Sequence, residues 1–150
     1  MRLYNMSDKV ILLVEDNEDD VTLMLRALQD NNITNKIEVV RDGEEALDYL
    51  FARGKHSERD RRLLPRIILL DLKLPKLDGL EVLKQIRGID QTRLTPVVVL
   101  TSSKESCDLE ASYRLGANSY IQKPLDFAKF VEAVREIAGY WLNWNETVIT

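Results

Sequence analysis

Five short apolar runs, each followed by a stretch of helical period, restrict this chain to very few architectures. The runs are VILLV at 10–14, IEVV at 37–40, IILL at 67–70, PVVVL at 96–100 and SYI at 119–121. After the first run, Asn17 is placed to cap a helix with Asp20 in its first turn, and Val21, Met24, Leu25 and Leu28 recur at helical spacing. Asp42-Gly43 turns the chain into a second helix striped by Ala46, Leu47, Leu50 and Phe51. Leu80, Leu83 and Ile86 mark a third, residues 104–115 suit a fourth stopped by Gly116, and Asp126 to Trp144 suit a fifth. Three of the runs are apolar on both faces, so both faces of their sheet must be covered. The expectation is an α/β fold: one parallel sheet with helices on either side.

Composition narrows the class further. The 150 residues suit one domain, and 45% hydrophobic content supports a real core. A net charge of -4 argues against general nucleic-acid binding. No apolar run approaches the roughly 20 residues of a membrane span. The start, MRLYNMSDKV, lacks the pattern of a secretory signal, and the single Cys107 excludes an internal disulfide. A cytoplasmic protein is expected.

In open α/β sheets, ligands bind beyond the carboxyl ends of the strands. There the first strand ends in Glu15-Asp16, the third in Asp71 and the fourth in Thr101, with Ser102 and Ser103 behind it; Lys123 follows the fifth. Polar residues are common at strand ends, so each has an ordinary reading as a solvated end. Their coincidence at one edge favours a site. Clustered carboxylates repel unless a cation intervenes. Mg²⁺ suits a few oxygen ligands and a phosphate. Glu15, Asp16 and Asp71 against Lys123 and Mg²⁺ sum to zero. A phosphoryl group on Asp71 could then be held by Mg²⁺, Lys123 and the Thr101 hydroxyl.

These residues, with Pro75 and Gly79 beyond Asp71 and Pro124 after Lys123, make the chain resemble the receiver domains of two-component response regulators over about residues 9 to 140. The resemblance implies a flavodoxin-like, five-stranded sheet of order 2-1-3-4-5. It implies a lead at 1–8, a receiver domain at 9–144 and a tail at 145–150. Asp71 looks like the phosphoacceptor, served by a phosphohistidine on a sensor histidine kinase. Asp16 and Asp71 would bind Mg²⁺ directly, Glu15 through water, and Lys73 through its backbone carbonyl; Mn²⁺ could substitute. Thr101 and Tyr120 look like the switch pair, although Tyr120 also reads as an ordinary strand residue. Lys123 looks like the phosphate-binding lysine, and its bond to Pro124 is expected to be cis. Such a protein is a stoichiometric acceptor, not a turnover enzyme.

One departure from the family pattern stands out, and other features accompany it. Residues 54–65, GKHSERDRRLLP, form a longer link than usual, read as a solvated loop or a kinase contact through Arg59, Arg61, Arg62 and Arg66. His56 within it has no evident partner, and Cys107 reads as a small packing residue. The fifth helix is long: at about 1.5 Å per residue it reaches about 28 Å, against about 17 Å for a five-residue strand. Phe127, Phe130, Val131, Val134, Ile137, Trp141 and Trp144 lie near one stripe, and Tyr140, Trp141 and Trp144 should overhang the sheet as a homodimer surface. Only six residues follow, leaving no space for a DNA-binding output module. Signalling by protein contact or phosphorelay is therefore expected. The long loop and tryptophan-bearing tail are similar to regulators paired with cyanobacterial phytochrome kinases.

Rival readings remain open at this point. A flavin carrier would need a phosphate-friendly loop where this chain has Glu15-Asp16-Asn17-Glu18-Asp19-Asp20. An aspartate-nucleophile phosphatase would place an acid where Lys73 stands. A receiver-like binding module that is never phosphorylated is the third.

Overall fold

The computed structural model describes residues 9–148; the expected lead at 1–8 and the end of the expected tail lie outside them. Strands β1 (Ile11–Val14), β2 (Ile37–Val40), β3 (Ile67–Leu70), β4 (Val97–Thr101) and β5 (Ser119–Gln122) alternate with helices α1 (Glu18–Asp30), α2 (Gly43–Phe51), α3 (Gly79–Gly88), α4 (Ser106–Arg114) and α5 (Phe127–Ala138). All neighbouring strands run parallel, in the order β2-β1-β3-β4-β5. This is the expected fold.

Side chains alternate across the sheet and build two cores. Ile11, Leu13, Ile67, Leu69, Val98 and Leu100 pack with α1 and α5 through Met24, Leu28, Phe130 and Val134. Leu12, Val14, Ile68, Leu70 and Val97 pack with α2 and α3 through Leu47, Leu50, Val82 and Leu83. Each such side chain contributes roughly 1.5–3 kcal/mol of burial. A charge anywhere inside β1, β3 or β4 would forfeit that, so charge is confined to the strand ends.

Helix starts follow from local chemistry. The side chain of Asn17 accepts from the Asp20 N–H at 3.0 Å, Asp42 from Glu45 at 2.7 Å, Asp78 from Glu81 at 2.9 Å and Asp126 from Lys129 at 3.1 Å. Caps of this kind are worth about 1 kcal/mol each. Helix α4 has no such cap and buries only Ser112. Cys107 on its first turn is therefore exposed and is not the packing residue expected.

The fifth helix differs from its sequence pattern. After Ala138 it continues as a π-helical segment, Gly139–Trp144, in which the Asn145 N–H donates to the Tyr140 carbonyl at 2.7 Å. The inward stripe here runs Ile137, Ala138 and Leu142, with Leu142 four residues after Ala138 and Trp141 at the edge of the stripe. Leu142 is buried and Trp141 is half-buried against the core, its ring edge-on to Tyr140 with centroids 5.0 Å apart. Trp144 is 80% exposed and Tyr140 53%. Of the expected overhang, Tyr140 and Trp144 stand free and Trp141 does not.

The 54–65 link is also less free than expected. A 3₁₀ turn spans Gly54–His56. The His56 ring lies 3.1 Å from Glu45 Oε2 and edge-on to Tyr49. Arg59 lies over the Tyr49 ring at 3.7 Å and donates to the carbonyls of Tyr49 and Leu63. Arg61 donates to Gln91 at 2.8 Å. The arginines that make this stretch look solvated are what fasten it down, because their long stems reach carbonyls and ring faces on neighbouring elements. Arg66 does the same for the tail, donating to the carbonyls of Trp141 and Asn145 and to Thr147.

Arg87 ties the far end of the sheet. Its guanidinium donates to the carbonyls of Gly116, Thr95 and Arg93 and to Asn118 Oδ1, at 2.8–3.1 Å. Asn118 Oδ1 in turn accepts from Val97 N–H at 2.8 Å, at the start of β4. Arg87→Met keeps the stem but removes all these donors. It should cost about 2–3 kcal/mol of stability, read as a lowered urea midpoint with unchanged slope.

Candidate functional site

Register and alternation carry the acids to one place. Val14 and Leu70 are partners at the ends of β1 and β3, so Glu15 and Asp71 stand side by side one residue later. Counting by two from Leu13 and Leu69 puts both on the face covered by α1 and α5. The ladder continues past the strands: Glu15 N–H donates to Val40 carbonyl at 3.0 Å and Asp71 N–H to Val14 carbonyl at 3.1 Å. Glu15 and Asp71 are buried and Asp16 is exposed. Oxygens of all three lie within 4.8 Å of one another. The donor set is entirely hard oxygen, which fits Mg²⁺ or Mn²⁺.

Lys123 crosses from the end of β5 to join them. Its backbone N–H donates to the Thr101 carbonyl at 2.8 Å, which fixes where its side chain starts. Its ammonium then lies 2.7 Å from Glu15 Oε2, 3.0 Å from Asp20 Oδ2 and 3.2 Å from Asp71 Oδ2. Met24, Leu69, Leu100 and Phe130 form the apolar floor beneath. No peptide bond is cis among the described residues, so Lys123–Pro124 is trans, contrary to expectation. Trans is the intrinsically favoured form by about 0.5–1 kcal/mol, and the Lys123 N–H bond to β4 is made without the cis isomer.

The remaining expected residues surround this group. Thr101 is fully buried as the last residue of β4, and its Oγ1 accepts from Ser103 N–H at 3.3 Å. Tyr120 is half-buried on β5, and its hydroxyl donates to the Ser103 carbonyl at 3.3 Å. Lys73 N–H points to Asp71 Oδ1 at 3.4 Å. The loop after Asp71 is packed against Gly79, whose N–H donates to the Leu72 carbonyl at 2.8 Å. A Cβ at Gly79 would collide with the Asp71 carbonyl oxygen and lie 2.6 Å from Leu72 Cα, so only glycine lets α3 start this close to the acceptor.

Two residues with a place here were not singled out as site residues from sequence. Asp20 reads as an ordinary first-turn acid, and nothing in its spacing aims it at β5. Ser103 reads as a hydroxyl behind Thr101. It is buried, bonds both Thr101 and Tyr120 through its backbone, and donates its hydroxyl to Asp108 Oδ2 at 2.5 Å.

The charges settle unequally. Burial, helped by the hydrogen bond with Asp71, pushes the Glu15 carboxyl up to about 7. Burial also works to raise Asp71, but its hydrogen bond with Glu15 and the nearby Lys123 outweigh it and hold Asp71 below the usual carboxylate range. Burial works to lower Lys123, and contacts with Glu15, Asp71 and Asp20 overcome it and raise the ammonium above its ordinary value. With no metal bound, the folded state therefore keeps a proton on Glu15 that the unfolded chain loses above about 4.5. The stability that proton contributes is full below 4.5 and is lost as pH rises through about 7. Asp71 acts at lower pH and Lys123 at higher pH, outside this window. Urea midpoints measured in chelator should fall between these two pH values, and Glu15→Gln should flatten that fall.

Comparison with known proteins agrees with the geometry. Residues 11–135 match the response regulator receiver domain family. The chain is 48% identical over 138 residues to the probable methanogenesis regulatory protein FilR2 of Methanothrix harundinacea, covering 92% of this chain and 86% of that one. It is 40% identical over 134 residues to response regulator Rcp1 of Synechocystis, covering 89% of each. Its fold matches the crystal structure of the phosphorylated cyanobacterial phytochrome response regulator RcpA with a TM-score of 0.86 and 38% identity, covering 93% of this chain and 98% of RcpA. The Mn²⁺-bound form of Rcp1 matches with a TM-score of 0.85 at 38% identity, covering 93% of this chain and 99% of that one. With strand order, site and family match in agreement, this chain belongs to the receiver domains of response regulators.

Proposed function

We propose that Asp71 accepts a phosphoryl group from a sensor histidine kinase and that the modified receiver signals by binding another protein or by passing the group on. The observation that carries this reading is the convergence of a buried aspartate, a lysine ammonium 3.2 Å from it and the buried end of β4 bearing a hydroxyl, beside two further acids. An Asp71 oxygen forms a bond to phosphorus as the P–N bond of a phosphohistidine breaks, and that electron pair stays on the departing imidazole. Lys123 takes one phosphoryl oxygen and the Thr101 hydroxyl another. Asp16 and Asp71 would hold Mg²⁺ directly, with Glu15 acting through water and Lys73 through its carbonyl. The metal supplies positive charge to the phosphoryl oxygens when bound. The metal-bound state of Rcp1 supports this assignment.

The switch is read through Ser103. Thr101 and Tyr120 both bond its backbone, so a Thr101 hydroxyl that leaves for a phosphoryl oxygen disturbs the residue that Tyr120 holds. Likeness to the cyanobacterial phytochrome response regulator RcpA supports a phytochrome kinase as the donor. On this reading the chain is a stoichiometric acceptor. Exposed Tyr140 and Trp144 support pairing with a second copy.

With Mg²⁺ and acetyl phosphate, the protein should gain one acid-stable, base-labile phosphoryl group, and Asp71→Asn should gain none. Equal labelling of Asp71→Asn would overturn the assignment, and a wild-type chain that never labels would favour the unphosphorylated binding module. Lys123→Ala should still label but lose phosphorylation-dependent partner binding. Light scattering should give a dimer mass that Tyr140→Ala with Trp144→Ala reduces; a concentration-independent monomer, with or without phosphorylation, removes the pairing.

A further inference from the structure

An ammonium has three N–H donors, and at Lys123 three carboxylates already accept them: Glu15 at 2.7 Å, Asp20 at 3.0 Å and Asp71 at 3.2 Å. A phosphoryl oxygen that bonds Lys123 must compete with these acceptors. The three are not equally free to yield. The Glu15 side chain is 4% exposed, sits on the apolar floor and also accepts from Asn17 N–H at 3.1 Å through its other oxygen. Withdrawing it from Lys123 would leave a buried polar oxygen without that donor. Asp71 carries the incoming group itself. Asp20 is different: its side chain is 37% exposed, it stands in the first turn of α1, and among the described residues Lys123 is the hydrogen-bond partner of its carboxylate. Water and the positive end of the helix can take up its charge once it is released.

We infer that Asp20 is the exchangeable acceptor of Lys123: it holds the ammonium while Asp71 is unmodified, yields it to a phosphoryl oxygen, and by competing for it sets how tightly the modified site closes. This rests on the reading of Asp71 as the phosphoacceptor. Asp20 is a positioning residue, acting through Lys123 and not on the reacting atoms. It serves a structural purpose as well, since a lysine surrounded by three acceptors is kept at the mouth of the site and pre-aimed at the oxygen that replaces one of them. The competition weakens closure, and its removal should strengthen it.

The test uses the full chain with Mg²⁺ and beryllofluoride, a mimic of a phosphoryl group on a carboxylate, titrated by calorimetry. Asp20→Ala should bind it roughly three- to fivefold more tightly than wild type, the range expected for losing one part-exposed ion pair. Asp20→Asn, which keeps the shape and removes the charge, should move in the same direction. Asp19→Ala removes the same charge one residue away and should change affinity less. In a Lys123→Met background, Asp20→Ala should have no effect, because its influence passes through that ammonium. Unchanged or weaker binding by Asp20→Ala overturns the inference. So does tightening that persists without Lys123 or is matched by Asp19→Ala, since either outcome assigns the effect to general repulsion. Asp71→Asn must abolish binding. A wild-type chain that binds no beryllofluoride and takes no phosphoryl group from acetyl phosphate removes the acceptor reading and this inference together. A wild-type chain that does both, with an inert Asp20, removes only the inference.

Discussion

A parallel sheet buried on both faces can carry charge only where its strands end, and the rest of this molecule follows from that constraint. The interior of β1, β3 and β4 is fully apolar because any ionised group there would lose its water without gaining a partner. Parallel pairing brings all five carboxyl ends to one edge. Alternation then selects a face: Glu15 and Asp71, an even number of residues beyond Leu13 and Leu69, turn toward α1 and α5. That face brings Asp20 from α1 and Lys123 from the end of β5 into reach.

The group so formed is held against its own repulsion. Burial over an apolar floor, with Asp71 beside it, disfavours the charged form of Glu15 and raises its affinity for a proton. Lys123 limits it by bonding three carboxylates at once. The arrangement is stable enough to fold and unbalanced enough to welcome more positive charge, which is the state suited to receiving a divalent cation and a phosphoryl group. Gly79 adds a steric condition, because a side chain there would displace the backbone that aims Asp71.

How much of this was legible in the sequence depends on the range of each cause. Strand and helix existence come from residues a few positions apart, and the alternation of VILLV, IILL and PVVVL with helical stripes was sufficient for the fold class. Side-chain caps are equally local, and Asn17 could be read directly as one. Errors arose where a distant partner decided. The arginines at 59, 61 and 66 look like solvent-loving charges until Tyr49, Gln91 and the backbone of the tail are placed beside them. Cys107 reads as a packing residue because a small apolar side chain on a helix usually packs, but α4 stands off the core. Trp141 lies near the stripe read from sequence, yet Leu142 beside it, four residues after buried Ala138, is the residue the core takes in.

The acceptor edge divides in the same way. Glu15, Asp16, Asp71, Thr101 and Lys123 each follow an apolar run, so hydrophobic pattern and strand polarity suffice to assemble them on one edge. Their distances, the raised proton affinity of Glu15 and the third acceptor of Lys123 depend on how α1 crosses the sheet and how β4 and β5 are registered. Asp20 and Ser103 acquire their parts in the site from contacts 103 and 17 residues apart in the chain. Local spacing encodes which residues reach an edge, because burial is decided by short-range periodicity. It does not encode which of them meet, because that is set by packing between elements whose sequence separation carries no such period.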